Sequence, residues 1–143
     1  MSEQFVHLHV HSEFSLADGL LKVKPLVARV AAMEMPAVAL TDIGNLFALV
    51  KFYENCLGAG VKPVLGVELA VVDESLADAT PERIVALAMN AEGYANLIAL
   101  VSAAYTSVEQ RSVLPQREVF AHEAGLIVLS GGIRGHLWHC LLY

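Results

Sequence analysis

Charge is scarce in this sequence, and positive charge scarcer still: Asp, Glu, Lys and Arg make up 17% of its 143 residues, with 9 Lys and Arg set against 15 Asp and Glu. Phosphate contacts need a basic footprint. With a formal net charge of −6, and Lys22, Lys24 and Arg29 as the nearest approach to a basic cluster, the chain alone is expected to bind DNA poorly. Long hydrophobic runs are also missing. Apolar residues reach 56%, yet stretches such as Ile84–Met89 and Leu97–Ala104 fall far short of the roughly 20 residues a bilayer demands, which excludes a membrane span. Cysteine is limited to Cys56 and Cys140, far apart and without a C-x-x-C pair, so both are read as reduced thiols. The first residues have neither the basic nor the long apolar region of a secretory signal, and a cytoplasmic location is expected. Internal repeats and low-complexity tracts are absent too.

What is present is an alternation of strand-like and helix-like segments. Residues 5–11 alternate, with Val6, Leu8 and Val10 on one face and His7, His9 and His11 on the other. A helix with Pro25 in its first turn and Val23, Leu26, Val27, Val30 and Ala31 at helical spacing runs to Met33, before Pro36. The continuous apolar run 37–41 has the form of a buried parallel strand. A second helix is expected over 46–57, with Leu46, Leu49, Val50, Tyr53 and Leu57 on one side and a left-handed stop at Gly58-Ala59-Gly60. A strand follows over 62–72, with Val64, Gly66, Glu68 and Ala70 on one face and Leu65, Val67, Leu69 and Val71 on the other, the greasier face meeting the helices. Beyond a polar loop come a strand over 83–89, a helix over 92–105 with Tyr94, Leu97, Ile98 and Val101 in register, a short helix over 116–122 and a strand over 126–130. The class is α/β with a mostly parallel sheet of about five strands, either open or an arc of a barrel.

His9-Val10-His11 places two imidazoles on one side of a strand, where they can share a metal ion; H-x-H also arises by chance on half-exposed strands. Asp18 follows closely and is read either as a further ligand or as a turn or capping residue with Gly19. Glu68, an acidic residue in an apolar strand, is a candidate ligand or a solvated edge position. Neutral imidazoles with carboxylates form a mixed N/O site suited to Zn, Mn or Fe. His7 continues the face in a structural role. The segment Gly135-His136-Leu137-Trp138-His139-Cys140 holds possible ligands, but adjacent residues rarely converge, and it reads as the start of a helix.

The order F-V-H-L-H-V-H-S-E-F-S-L-A-D-G, A-L-T-D-I-G-N-L-F-A-L-V-K-F-Y, G-V-K-P-V-L-G-V-E, A-E-G-Y-A-N-L and G-L-I-V-L-S-G-G resembles the PHP (polymerase and histidinol phosphatase) domain that opens bacterial DNA polymerase III alpha subunits. That resemblance implies a distorted, TIM-like β/α barrel of about seven strands, incomplete over residues 1–143, with up to about three metal ions at the C-terminal strand ends. In intact members the ions support phosphoester hydrolysis, 3′–5′ exonuclease activity included, by a metal-activated hydroxide. His9, His11, Asp18 and Glu68 match family ligand positions, whereas Ile43, Arg83 and Gly132 stand where ligands belong. Isoleucine has no donor, and arginine carries a permanent positive charge.

The leading expectation is therefore a degenerate PHP domain: structural within the remainder of the alpha subunit, docking a separate proofreading exonuclease subunit, holding Zn or Mn weakly or not at all, and without polymerase activity of its own. An active metal-dependent phosphoesterase is the alternative, and an unrelated α/β binding module comes third. An incomplete barrel leaves strand edges uncovered. Self-association or only marginal stability is accordingly expected, checked by sedimentation over a concentration series and by unfolding; a monodisperse monomer with sharp, concentration-independent unfolding is the contrary result.

Overall fold

In a computed structural model, residues 5–75, 80–106 and 112–135 are described. They form strands β1 (Ala37–Leu40), β2 (Lys62–Val72), β3 (Glu82–Ala88), β4 (Val113–Pro115) and β5 (Leu126–Leu129), and helices α1 (Val23–Ala32), α2 (Leu49–Ala59), α3 (Ala91–Thr106) and α4 (Gln116–Ala121). Short 3-10 turns cover Glu13–Asp18 and Gly132–Arg134. Residues 136–143, with His136, His139 and Cys140, lie outside the described residues.

β2 organises the sheet. Its first half pairs in parallel with β1, and its last residues pair in parallel with β4 along the same edge. The other edge pairs antiparallel with β3, which pairs antiparallel with β5. The sheet is mixed rather than mostly parallel, because β3 follows β2 after only nine residues, too few for the crossover that a parallel pair needs. Residues 5–11 extend beside β1 without forming a continuous ladder: His7 bridges Val38, and the amides of Ala39 and Thr41 donate to the carbonyls of His7 and Val10 at 2.8 and 2.9 Å. β4, only three residues long, has no sequence pattern of its own.

Period-2 alternation sorts the two faces of the sheet as expected. Val67, Leu69 and Val71 pack with Leu97, Leu100, Ala104 and Val119 of α3 and α4. Val38 and Leu40 pack with Val23, Val27 and Val30 of α1 and Phe52 and Cys56 of α2. The opposite face carries a small apolar floor of Ala39, Val85 and Leu87, flanked by Val64 and Leu129. Glu68 and Arg83 belong to this second face, by alternation from Val64 and Val85.

Two helix faces differ from the sequence reading. α2 buries Phe52 and Cys56, with Ala48 just before it, and leaves Val50, Tyr53 and Leu57 exposed. α3 buries Gly93, Leu97, Leu100 and Ala104, while Ile98 is exposed. Both helices are apolar on more than one side, so spacing alone selects no face, and ring volume and small-residue contacts decide which stripe turns inward. Gly60 caps α2 in the left-handed conformation (φ 70°), as expected. α1 begins at Lys22 without a side-chain cap, so Asp18 does not cap it.

Burial pushes the Cys56 thiol up to about 11, which keeps it protonated and packing as a small hydrophobe. Phe52 is fully buried beside it. Replacing Phe52 with Ala is expected to cost about 3–5 kcal/mol, read as a lower urea midpoint at unchanged slope.

Candidate metal centre

The site begins where residues 5–11 run past the end of β1. Thr41 Oγ1 receives the Val10 amide at 3.0 Å, fixing the strand-like stretch that carries the histidines. Alternation then puts His9 and His11 on the same side, with ring centroids 4.9 Å apart and planes at 74°. Facing them from β2 is Glu68, only 4% exposed, which rules out the solvated edge position. His9 Nε2 lies 2.7 Å and His11 Nε2 3.1 Å from Glu68 Oε2, and the two nitrogens are 3.1 Å apart. Two imidazole nitrogens and one carboxylate oxygen therefore converge, with all three atoms within 4.8 Å of one another.

Asp18 occupies a different place. Its Oδ2 is 3.8 Å from His11 Nδ1, the ring nitrogen facing away from Glu68. Asp18 thus stands behind His11, on the side where outer groups orient a histidine ligand. His7, exposed, stacks edge-on against Phe5 with centroids 4.8 Å apart.

Of the three positions lacking a ligand, Arg83 is the most informative. From β3 its Nη1 donates to Glu68 Oε1 at 2.5 Å. Both oxygens of the carboxylate are thus engaged, one by a guanidinium and the other by two imidazoles. Ile43 bridges Glu68 along the edge of β2 and lies beside the cluster without a donor. Gly132 opens the turn that follows β5. Its neighbour Gly131, at φ 69°, sits so close to β3 that an added Cβ would fall 2.0 Å from the Arg83 carbonyl, so only glycine brings this turn against the strand.

The site has a second carboxylate, one that the sequence reading did not single out. Asp42 is 3% exposed and accepts from the Ser12 amide at 2.6 Å, Ser12 Oγ at 2.7 Å and Ser15 Oγ at 2.6 Å. Ser15 Oγ in turn accepts the Ile43 amide at 3.1 Å, and Asn45 Nδ2 donates to the carbonyls of Phe14 and Ile43. The acid-plus-serine pattern S-x-x-S followed by T-D was the available signal, hidden because its partners lie some 27 to 30 residues apart. This network pins the turn after the histidines to the end of β1. Beside it opens a groove of about 620 Å³, lined by Phe14, Leu16, Ile43, Phe47 and Tyr105 among others.

The donor set suits one ion. In a tetrahedral zinc site, ligand atoms stand about 3.3 Å apart, close to the spacing of His9, His11 and Glu68. Among the described residues, Ile43 and Gly132 add no donor to this set and Arg83 adds a cation.

Residues 7–143 match the PHP domain family. The chain is 46% identical over 141 residues to the DNA polymerase III subunit alpha of Vibrio cholerae, covering 97% of this chain and 12% of that protein. It is 44% identical over 145 residues to the subunit of the same name from Escherichia coli, covering 99% and 12%. The chain thus spans about 12% of the length of the curated relatives it matches. Among solved structures it resembles in fold a protein assigned as a metal-dependent phosphoesterase from Bifidobacterium adolescentis, at TM-score 0.52 and 22% identity, over 71% of this chain and 34% of that one. An amidohydrolase from Chromobacterium violaceum, solved with sulfate and no metal, aligns at TM-score 0.50 and 26% identity, over 68% and 34%.

Replacing Asp42 with Ala strands three buried donors. It is expected to destabilise the chain by on the order of 3 kcal/mol, more than the Ser15→Ala change, as measured by urea unfolding.

Proposed function

Because this chain belongs to the PHP domain family, we propose that it is the PHP portion of a replicative DNA polymerase III alpha subunit, serving DNA replication in the cytoplasm as a structural, docking domain rather than as a hydrolase. The observation that carries this reading is the 40–46% identity to such subunits over nearly the whole chain. The state of the cluster supports the structural role: Arg83 occupies one oxygen of Glu68, and Ile43 and Gly132 offer no donor. Residues 1–143 are taken as a single partial domain. The five-stranded sheet, with helices on one face and the cluster on the other, is read as an arc of the family's barrel.

The groove beside the cluster supports a partner there. Leu16, Phe47 and Tyr105 are exposed at 84%, 70% and 56%, and Leu16 is held at φ 55°, a conformation that leucine rarely adopts. The proofreading exonuclease subunit is the proposed occupant, and other regions of the alpha subunit cover the remaining exposed apolar surface; self-association of the isolated chain follows from that surface. Direct DNA binding contributes little, given the net charge of −6. Among the described residues no helix is long and apolar enough to cross a membrane.

One observation favours the second reading, a metal-dependent phosphoesterase: the convergence of His9, His11 and Glu68. These residues would hold a Zn or Mn ion, with Asp18 orienting His11. A bound ion would supply Lewis-acid polarisation of a phosphoryl oxygen.

Metal content of the chain purified without chelator, measured by mass spectrometry beside exonuclease assays with added Mn²⁺ and Zn²⁺, separates the two. The structural reading expects below about a tenth of an ion per chain and no hydrolysis. Near-stoichiometric metal, lost together with activity in His9→Ala and Glu68→Ala, would establish the phosphoesterase instead.

A further inference from the structure

Glu68 raises a question that the ligand count leaves open, namely what neutralises a carboxylate that the fold buries to 4% exposure. A buried charge without a partner is costly enough that the chain must supply a cation, recruit one or keep the group protonated. Here β3 supplies it. Arg83 reaches across the β2–β3 pair and donates to Oε1, while His9 and His11 gather on Oε2. Arg83 is 29% exposed and Glu68 5% as side chains, so the guanidinium spans from partial solvent contact to the buried carboxylate.

From this juxtaposition we infer that Arg83 is a metal-excluding residue, a resident cation whose removal turns His9, His11 and Glu68 into a binding site for one divalent transition-metal ion. The inference rests on the structural reading above and deepens it by assigning the exclusion to one side chain. Three arguments converge. Two imidazole nitrogens and a carboxylate oxygen already stand at ligand spacing, so no rearrangement of the backbone is needed. Asp18 lies 3.8 Å from the far nitrogen of His11, facing the Nδ1 proton that a metal-ligated His11 would carry. Against these, among the described residues, stands the guanidinium, whose charge cannot be shed and which shares the Glu68 carboxylate an ion would use. A divalent ion beside it meets repulsion and a ligand whose charge is already matched.

The neutral Arg83→Gln variant of the full 143-residue chain is the direct test, with Zn²⁺ alone and Co²⁺ alone as probes. Isothermal titration is expected to show one ion bound at least about tenfold more tightly than by the unmodified chain. Co²⁺ should give visible d–d absorption, Zn²⁺ should raise the unfolding temperature of this variant only, and adding His9→Ala should abolish all three effects. Arg83→Lys keeps the charge and should gain nothing. Should Arg83→Gln fold only with Zn²⁺ present, recovery of its far-ultraviolet circular dichroism by Zn²⁺, absent in the His9→Ala double variant, supports the same conclusion.

The inference is overturned by a folded Arg83→Gln chain with no gain in affinity, by a gain that survives His9→Ala, or by an equal gain in Arg83→Lys. Imidazole nuclear magnetic resonance on the unmodified chain is independent of any variant's folding: His9 and His11 signals that shift at one equivalent of Zn²⁺ overturn it as well. The two failures differ in pattern. A metal-free parent with an Arg83→Gln variant that gains nothing defeats the exclusion alone, whereas a parent that carries metal and hydrolyses nucleic acid defeats the structural reading itself.

Discussion

A carboxylate buried in the middle of a strand constrains everything around it. Glu68 stands on the face of β2 that otherwise holds Val64, Gly66 and Ala70, close to an apolar floor formed by Ala39, Val85 and Leu87. Water cannot serve it there, so partners must come from neighbouring segments, and they do: two imidazoles from residues 5–11 and a guanidinium from β3. The cluster therefore ties three separate stretches of chain at one end of the sheet. Such a cluster need not raise net stability over a well-packed apolar one. What it does is penalise any arrangement in which one partner is missing, and that fixes how residues 5–11 and β3 stand relative to β2.

Asp42 has the matching role on the neighbouring strand's end. Its three donors come from Ser12 and Ser15, so the turn that follows the histidines is fastened to the end of β1. The bridge from Ile43 to Glu68, with the Gly44 amide donating to the Glu68 carbonyl at 2.8 Å, links the two carboxylates through backbone. Position of the imidazoles is thus determined twice: by Thr41 and the β1 edge on one side of Val10, and by the Asp42 network beyond His11. Ile43 keeps its backbone role in this arrangement although its side chain offers no ligand.

Much of this was legible because period-2 and period-3.6 patterns are local. Residues 62–72 read as a strand with Glu68 on the lesser apolar face, and the structure has β2 with those bounds and that face. The histidine pair was legible for the same reason. What escaped depends on contacts far apart in sequence. The exposed Val50–Tyr53–Leu57 stripe of α2 competes with the buried Phe52–Cys56 stripe, and only docking against β1 and α1 selects between them. The antiparallel direction of β3 follows from a short return that spacing marked but did not orient. Asp42 drew no notice because its serines lie in another segment. β4, three residues long, becomes a strand only by pairing with Ala70–Val72 of β2.

Ile43, Gly132 and Arg83, the positions where the family resemblance leads one to expect ligands, are unequal in electrostatic terms. Isoleucine and glycine offer no donor and no charge. Arg83 is different, because it brings a fixed positive charge to a carboxylate that the fold buries and that needs a partner. An arginine on the adjacent strand meets that need with one fixed charge and a directional donor, at Oε1, while leaving the histidines in place on Oε2. The histidines and the arginine are then two sides of one constraint, the charge of a buried carboxylate. A count of ligand-type residues therefore measures the geometry of such a cluster, while the charges beside it decide what it can hold.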